Sequence, residues 1–235
     1  MNLLQKIIDA LWPAFCVFCE KPIKEKEEKE HLLCGDCSRG LPVSRNLACA
    51  VCGARLPENK KICHRFASYL LAAPFAYNFE PAKKVIWDLK YGKKKVLARP
   101  LGRLLASHLS FLPKMDFTDW LIVPIPLHPA KEQQRGFNQA ALLAEHLGRQ
   151  LNLPVADALK RIKETKAQAE TKERAERLEN LQGAFAVVRP ELVAKRKIIL
   201  VDDVSTTGVT LAEAAKTLRK AGAKSVLGLA VAKAK

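Results

Sequence analysis

The chain has 235 residues, room for one α/β domain and a small appended domain, and 49% of them are hydrophobic, as in ordinary globular proteins. The formal net charge of +16, from 40 Lys and Arg against 24 Asp and Glu, indicates either a polyanionic partner or a lysine-rich solvated surface. No apolar run approaches the roughly 18 residues of a membrane span and no signal peptide is visible, so we expect a cytoplasmic protein.

The first predicted element is a short amphipathic helix, because apolar residues recur at helical spacing over residues 3–11. All seven cysteines follow, between residues 12 and 66. Two Cys-x-x-Cys pairs on tight turns complete a tetrahedral zinc site. Cysteines of a cytoplasmic protein indicate metal ligands more than disulfides. We therefore predict a structural zinc ion bound by Cys16, Cys19, Cys34 and Cys37.

A second zinc site is incomplete in the sequence. Its candidate ligands are Cys49, Cys52 and Cys63, and Phe66 stands where a fourth cysteine would complete the pattern. His64 is adjacent to Cys63, a poor spacing for two ligands of one ion. Three alternatives stay open: the site has lost its metal, it recruits His64, or the two sets are cross-braced. The region is too small for a core of its own, so zinc would supply its folding energy.

The composition changes near residue 68, where cysteine disappears and strand and helix patterns begin to alternate. Residues 70–79 have the pattern of a strand or of one arm of a hairpin. Pro81 indicates the first turn of a helix that ends near Leu89, and a second helix is predicted over residues 96–110. These alternating elements favour an α/β fold.

The densest positive patch of the chain lies between positions 83 and 103, where only Asp88 opposes eight basic residues. Seven of them are candidate nucleic-acid-binding residues: Lys83, Lys84, Lys90, Lys93, Lys94, Lys95 and Arg99. The eighth is Arg103. Two aromatic residues, Trp87 and Tyr91, lie within the patch. They either stack on bases or pack in the protein core.

A buried strand is predicted at residues 120–126, which end in the stiff loop Pro124, Ile125, Pro126. A helix is then expected from Arg135 to Leu151, with the Arg135 guanidinium near the loop and able to bind phosphate oxygens. The simpler alternative is a proline-rich turn followed by a helix-capping asparagine. Residues 160–183 are highly charged without an apolar stripe, which indicates a solvated helix or a mobile loop. A strand is expected at residues 184–188.

The most informative stretch is residues 197–211, where a β-branched strand (198–201) is followed by two acids and a hydroxyl-rich turn. Ligands of open α/β sheets bind at the carboxyl ends of strands. The turn precedes a predicted helix, residues 211–221, and a helix N-terminus with glycine and hydroxyls suits a phosphate. A plain helix cap needs one such residue and not this whole order. A final strand is expected at 225–231.

This stretch resembles the phosphoribosyl pyrophosphate (PRPP) loop of type I phosphoribosyltransferases. The resemblance implies that Asp202 and Asp203 are the catalytic acids, which bind the ribose hydroxyls of PRPP. It also implies that the loop Pro124, Ile125, Pro126 with Arg135 binds pyrophosphate. The PRPP-binding turn would consist of Val204, Ser205, Thr206, Thr207, Gly208, Val209 and Thr210. Residues 160–183 would be the mobile loop that covers the reacting centre.

The whole chain resembles the ComF family, through the cysteine pairs, Arg135-Gly136-Phe137-Asn138-Gln139 and the Asp202-Asp203 loop. The resemblance implies a type I phosphoribosyltransferase-like parallel sheet flanked by helices (67–235) behind a small N-terminal zinc-ribbon domain (1–66). It implies structural Zn²⁺, PRPP bound with Mg²⁺, and a phosphoribosyltransferase whose acceptor is unknown.

The resemblance also implies a link to DNA uptake in natural competence, with single-stranded DNA and other competence proteins as partners. Glutamine dependence is not expected, because it requires an N-terminal cysteine nucleophile and the sequence opens with Met1-Asn2. The alternative function is a non-catalytic single-stranded DNA-binding factor with a vestigial or sensory PRPP site. The basic patch favours this alternative, whereas the intact acids and threonine turn favour the enzyme.

Overall fold

The computed structural model of the chain describes residues 14–23, 32–56, 63–64, 67–112, 115–163 and 181–234. The helix predicted over residues 3–11 and most of the charged segment 160–183 lie outside these ranges. None of the helices in the described ranges combines the length and apolarity that a bilayer-crossing segment requires.

The described strands and helices alternate along the chain as the sequence predicts. The strands are β1 (Leu47–Cys49), β2 (Leu70–Ala72), β3 (Phe75–Ala76), β4 (Trp120–Pro124), β5 (Leu159–Arg161), β6 (Phe185–Val187), β7 (Lys197–Ser205) and β8 (Ser225–Lys233). The helices are α1 (Gly35–Gly40), α2 (Glu80–Lys90), α3 (Ala98–Ser110), α4 (Pro129–Arg135), α5 (Gln139–Leu151), α6 (Pro190–Val193) and α7 (Val209–Lys220). A single 3₁₀ turn, Lys95–Leu97, precedes α3.

The main sheet has the strand order β1-β2-β8-β7-β4, and β3 also pairs with β8. All pairs are parallel except β1 with β2, which is antiparallel. The strand β1 comes from the cysteine-rich region, so the N-terminal part of the chain contributes the edge of this sheet. A separate two-stranded antiparallel sheet consists of β5 and β6. The predicted architecture, a mostly parallel sheet between helices, is confirmed.

The sheet is buried on both faces, and β7 shows this residue by residue. Ile199 and Val201 pack with α2, α3 and α5, whereas Ile198 and Leu200 pack with α7 on the other face. All four side chains are fully buried. A continuous apolar run is what a strand covered by helices on both sides requires. The core therefore holds β7 in place, and the C-terminal end of this strand lies at the carboxyl edge of the sheet.

Two expectations about element boundaries are corrected. The helix predicted from Arg135 to Leu151 begins only at Gln139, after the Asn138 cap, because Gly136 takes a left-handed conformation (φ 78°) that ends a separate helix, α4, at Arg135. The strand predicted at 198–201 continues to Ser205, because β8 pairs with it through Asp202, Val204 and Ser205. The two acids therefore lie within the strand and not beyond it.

Candidate functional site

The acidic pair forms the floor of a cleft at the carboxyl end of the sheet. Successive residues of a strand point to opposite faces. Asp203 is accordingly buried with 7% of its surface exposed, while Asp202 is half-buried. The backbone N–H of Asp203 donates to Oδ1 of Asp202 at 2.8 Å. Two adjacent carboxylates in this position repel each other unless a cation or a hydrogen-bond donor compensates.

Lys90, the last residue of α2, supplies that compensation. Its Nζ lies 2.9 Å from Oδ1 of Asp203, and 20% of the lysine side chain is exposed against 9% of the aspartate side chain. Burial alone lowers the pKa of Lys90, but attraction by Asp203 and then Asp202 outweighs burial, so its pKa lies above the usual value. The sequence analysis assigned Lys90 to the basic patch, whereas the structure places it in the cleft beside the acids.

The Asp202 carboxyl is in a different electrostatic state. Burial raises its pKa, and repulsion by the Asp203 carboxylate raises the pKa further, to about 7. Lys90 opposes both effects. Because this pKa is close to neutrality, Asp202 exchanges its proton near physiological pH and can accept or donate a hydrogen bond. The pair can therefore bind ligand hydroxyl groups without carrying two full negative charges.

The turn after β7 leaves the start of α7 open to a ligand. Gly208 takes a left-handed conformation (φ 73°) and is the N-cap residue of α7. It has no side chain to satisfy the first N–H groups of the helix, unlike Asn138, whose Oδ1 accepts from the N–H of Ala140 at 3.0 Å. The Tyr69 hydroxyl fixes the turn from behind by donating to the carbonyl oxygen of Gly208 at 3.2 Å. The backbone N–H groups at the start of α7 and the helix dipole make this turn suitable for an anion.

The cleft has a volume of about 670 Å³. The predicted PRPP-site residues that line it are Ile125, Pro126, Arg135, Asp202, Asp203, Val204, Thr206 and Thr210. The other predicted residues flank it: Pro124 ends β4, Ser205 and Val209 are buried on either side of the turn, and Thr207 and Gly208 form the turn. The structure thus brings the acids, the phosphate turn and the proline loop to one cavity.

The proline loop and its arginine are held by the start of α5. The side-chain amide of Asn138 donates to the carbonyl oxygen of Ile125 at 3.0 Å. Arg135 Nη1 donates to Oε1 of Gln139 at 2.9 Å. The sequence analysis considered helix capping by Asn138 and phosphate binding by Arg135 as alternatives. The structure is compatible with both, because the cap uses the Asn138 side chain and leaves the Arg135 guanidinium to the cleft.

Several cleft residues were not placed there by sequence reasoning. Arg161, at the end of β5, is buried with 8% of its surface exposed and lines the cavity. Burial lowers the pKa of Arg161, and attraction by Asp202 opposes that shift. Lys90, Tyr91 and Gln139 line the cavity as well. Gln139 belongs to the sequence motif at 135–139, but its proximity to Lys90 and Tyr91 depends on contacts between distant segments.

The cysteines form two separate four-ligand clusters. The ligand atoms of Cys16, Cys19, Cys34 and Cys37 all lie within 4.8 Å of one another, as predicted for the first site. The second cluster contains Cys49, Cys52, Cys63 and His64 at the same spacing. The His64 Nδ1 is 3.3 Å from the Cys49 sulfur. The structure places His64 with the three cysteines, so the second cluster has four donors, and the two clusters are not interleaved, which contradicts the cross-braced alternative.

Both donor sets fit structural zinc. All seven cysteines are free of disulfides, and four thiolates or three thiolates with one imidazole are common tetrahedral zinc ligand sets. The second cluster also lies close to the phosphate turn. A Cβ atom placed on Gly208 would be 3.7 Å from the carbonyl oxygen of Ala50, which lies between Cys49 and Cys52.

The basic patch is less free than its sequence suggests. Four of its lysines form ion pairs, Lys83 with Glu80 at 3.2 Å, Lys94 with Asp88 at 2.9 Å, Lys90 with Asp203 at 2.9 Å, and Lys84 with Glu20. Acids outside residues 83–103 therefore oppose the patch in addition to Asp88. The Lys95 ammonium lies 5.0 Å from the Phe137 ring centroid, and Lys93 and Arg99 are exposed.

The aromatic residues of the patch do not pack in the core. Trp87 and Tyr91 are 57% and 58% exposed, and their ring centroids are 5.8 Å apart. The Arg135 guanidinium lies 5.2 Å from the centroid of the Tyr91 ring. The alternative in which these rings fill the core is wrong, because Ala82, Val85, Ile86 and Leu89 form the buried face of α2.

Comparison with known proteins identifies both parts of the chain. Residues 138–235 match the phosphoribosyl transferase domain family, and residues 7–67 match the double zinc ribbon domain family. Competence protein F of Haemophilus influenzae is 31% identical over 208 residues, which cover 83% of this chain and 87% of that protein. DNA utilization protein YhgH of Escherichia coli is 31% identical over 225 residues, covering 91% and 94%.

Two further matches are more distant. Competence protein ComFC of Streptococcus pneumoniae is 28% identical over 191 residues, covering 81% of this chain and 77% of that protein. Among solved structures, a glutamine PRPP amidotransferase from B. subtilis matches 56% of this chain at 17% identity with a TM-score of 0.38. That match spans 25% of the amidotransferase chain.

The clusters lead to a prediction about metal content. Elemental analysis of protein purified without added metal should find two zinc ions per chain, and His64→Ala and Cys16→Ser should each reduce the content by one. Cys16→Ser should also unfold the region around the first cluster, because metal binding supplies the folding energy of that region. Folded wild-type protein that contains one zinc ion, with no loss in His64→Ala, would contradict the assignment of His64.

Proposed function

The chain belongs to the ComF family, in which a double zinc ribbon precedes a phosphoribosyltransferase domain, and from that premise we propose that it is a PRPP-binding phosphoribosyltransferase linked to DNA uptake. The observation that carries the proposal is the position of Asp202 and Asp203 beside the glycine turn that precedes α7, in one cleft. A site for phosphate alone would not place two carboxylates there, whereas ribose hydroxyls are donors that need acceptors.

In this proposal, PRPP lies along the floor of the cleft. Its ribose hydroxyls donate to Asp202 and Asp203, and its 5′-phosphate accepts from the first N–H groups of α7 and the hydroxyls of Thr206 and Thr210. Arg135 binds the pyrophosphate oxygens. Gly208 keeps the turn free of side-chain atoms where the phosphate approaches.

The reaction is a substitution at the ribose C1 atom. The bond between C1 and the pyrophosphate oxygen breaks, an acceptor lone pair forms the new bond, and the acceptor proton passes to water. The protein contributes by positioning and by stabilising charge, without a protein nucleophile. Asp202 and Asp203 are the only carboxylates among the described residues that line the cleft, and they suit Mg²⁺. Bound with PRPP, Mg²⁺ would neutralise the departing pyrophosphate.

The first test measures PRPP affinity by isothermal titration in the presence of Mg²⁺. Asp202→Asn should weaken binding about 10- to 150-fold, because a hydrogen bond to a charged group contributes roughly 1.5–3 kcal/mol. Asp203→Asn should do at least as much, but it also leaves Lys90 unpaired, so thermal unfolding must be measured beside it. Asp157→Asn, at an exposed position, is the matched control and should change nothing. Absence of PRPP binding by the wild type would overturn the enzyme proposal.

The second candidate function is single-stranded DNA binding without catalysis. The formal net charge of +16 and the exposed Lys93, Lys95 and Arg99 favour it. Relatives named for competence and for DNA utilization support a DNA-linked role for this chain. PRPP binding and single-stranded DNA binding are compatible, and we propose that the chain acts in the cytoplasm with other DNA-uptake proteins.

The electrostatic part of this candidate function has its own test. Binding to single-stranded DNA should weaken steeply with salt, because lysines release condensed counterions. Replacing Lys93, Lys94 and Lys95 by Glu should flatten the salt dependence. The matched control replaces Lys195, Lys220 and Lys224 by Glu, which changes the net charge equally at the opposite end of the sheet. Equal effects of the two triple variants would show that only overall charge matters.

A further inference from the structure

Two large aromatic side chains are exposed on the outer face of α2, away from the face that packs in the core. Trp87 and Tyr91 are four positions apart, which places them side by side on one helix face. Their exposed fractions of 57% and 58% are high for such large side chains, and their centroids are 5.8 Å apart. Adjacent exposed aromatic groups of this size commonly mark an interaction site.

The ring pair is continuous with the catalytic cleft. Tyr91 lines the cavity and follows Lys90, which binds Asp203. The Arg135 guanidinium over the Tyr91 ring is fixed by Gln139. The aromatic surface therefore begins beside the ribose-binding acids and extends outward along α2 to Trp87.

The charges around the rings select the class of ligand. Lys93 and Lys95 follow Tyr91 and are exposed, and Lys93 lines the cleft, whereas Lys83 and Lys84, one helical turn before Trp87, pair with Glu80 and Glu20. An apolar peptide would not require these cations, and a polyanion without rings would not require the aromatic pair. A ligand with both negative charge and planar faces is a nucleic acid, and its bases are accessible for stacking only when single-stranded.

We propose that Trp87 and Tyr91 form a stacking platform for bases of single-stranded nucleic acid, and that the platform holds the strand at the mouth of the PRPP cleft. This inference rests on the proposed DNA-linked function and adds its contact site. The strand and PRPP then bind side by side, so neither excludes the other.

The test compares a single-stranded oligothymidylate with heparin, which has charge but no bases. Trp87→Ala and Tyr91→Ala should each weaken oligothymidylate binding about 5- to 150-fold, as expected for loss of one stacked base, while leaving heparin binding unchanged. Tyr91→Phe retains the ring and should retain binding. Phe111→Ala is the matched control, because Phe111 is also 50% exposed and has the Arg45 guanidinium 5.0 Å from its centroid.

The outcomes separate this proposal from the PRPP proposal. Trp87→Ala should keep the PRPP affinity of the wild type, and oligothymidylate should quench tryptophan fluorescence in the wild type more than in Trp87→Phe. Unchanged oligothymidylate binding in both alanine variants would overturn the platform while leaving PRPP binding intact. An equal loss of heparin binding, or an equal effect of Phe111→Ala, would also overturn it.

A different observation supports a second inference, which concerns the second zinc cluster. In the turn that carries Cys49 and Cys52, the Ala50 carbonyl oxygen lies near the phosphate turn, 3.7 Å from the position that a Cβ on Gly208 would take. The same turn is tied to β8 by Lys233, whose Nζ donates to the Gly53 carbonyl oxygen at 3.3 Å. The first cluster makes other contacts. The Phe18 ring packs 5.6 Å from Phe75, and Glu20 pairs with Lys84.

We infer that the second cluster, when it holds zinc, positions the phosphate turn, whereas the first does not. This inference rests on the proposed PRPP binding for its affinity measurement only. His64→Ala should accelerate hydrogen exchange of the amides of residues 206–210 and weaken PRPP binding by up to about 100-fold, because small displacements at a binding site are costly. Cys34→Ser, which disrupts the first cluster, should leave both measurements unchanged.

The hydrogen-exchange measurement keeps this inference independent of PRPP. If His64→Ala loses one zinc ion and the exchange of residues 206–210 stays at the wild-type rate, the inference is overturned even where PRPP binds. Accelerated exchange in a protein that binds no PRPP would support the mechanical link and refute only the proposed ligand. Equal acceleration in Cys34→Ser would also overturn the inference.

Discussion

Two adjacent carboxylates at the end of a buried strand repel each other, and the ion pair between Lys90 and Asp203 compensates for this repulsion. The pair ties the end of α2 to the end of β7. That connection closes one side of the cleft and sets where α2 presents Tyr91. The opposing effects of burial, repulsion and Lys90 on the Asp202 pKa follow from the same arrangement. One contact between distant segments therefore contributes both to the charge balance of the acids and to the position of the aromatic surface.

The cysteine-rich region packs together with the main sheet and does not form a separate unit. Its strand β1 extends the main sheet, and Ala50, between two cysteines of the second cluster, lies near the turn that begins α7. In a small region without its own core, metal ligands replace apolar burial as the source of stability. The adjacency of Cys63 and His64 becomes usable because both residues lie in a bend of the chain, which lets both donors reach the other two ligands.

Much of this could be predicted from local patterns. The apolar run at 198–201, the acids after it and the glycine turn are consecutive residues whose chemistry is readable without the fold, and the paired cysteines are equally local. The partner of Lys90, the burial of Arg161 and the exposure of Trp87 could not be predicted, because each depends on how segments far apart in sequence pack. The helix α4 was missed because it buries no residue and its sequence has no apolar stripe, and the start of α5 was placed too early although Gly136 marks the break.

Because β1 is the edge strand that pairs with β2, its removal in a shortened chain would have a consequence. A polypeptide that began at residue 67 would retain every element of the transferase domain, yet Leu70–Ala72 would become an open edge strand. Its Leu71 and Ala72 side chains are buried in the intact chain, and its unpaired backbone groups would offer a template for another molecule. The strand β1 thus also prevents strand pairing between molecules at this edge. Removal of the cysteine-rich region would favour aggregation of the remaining domain.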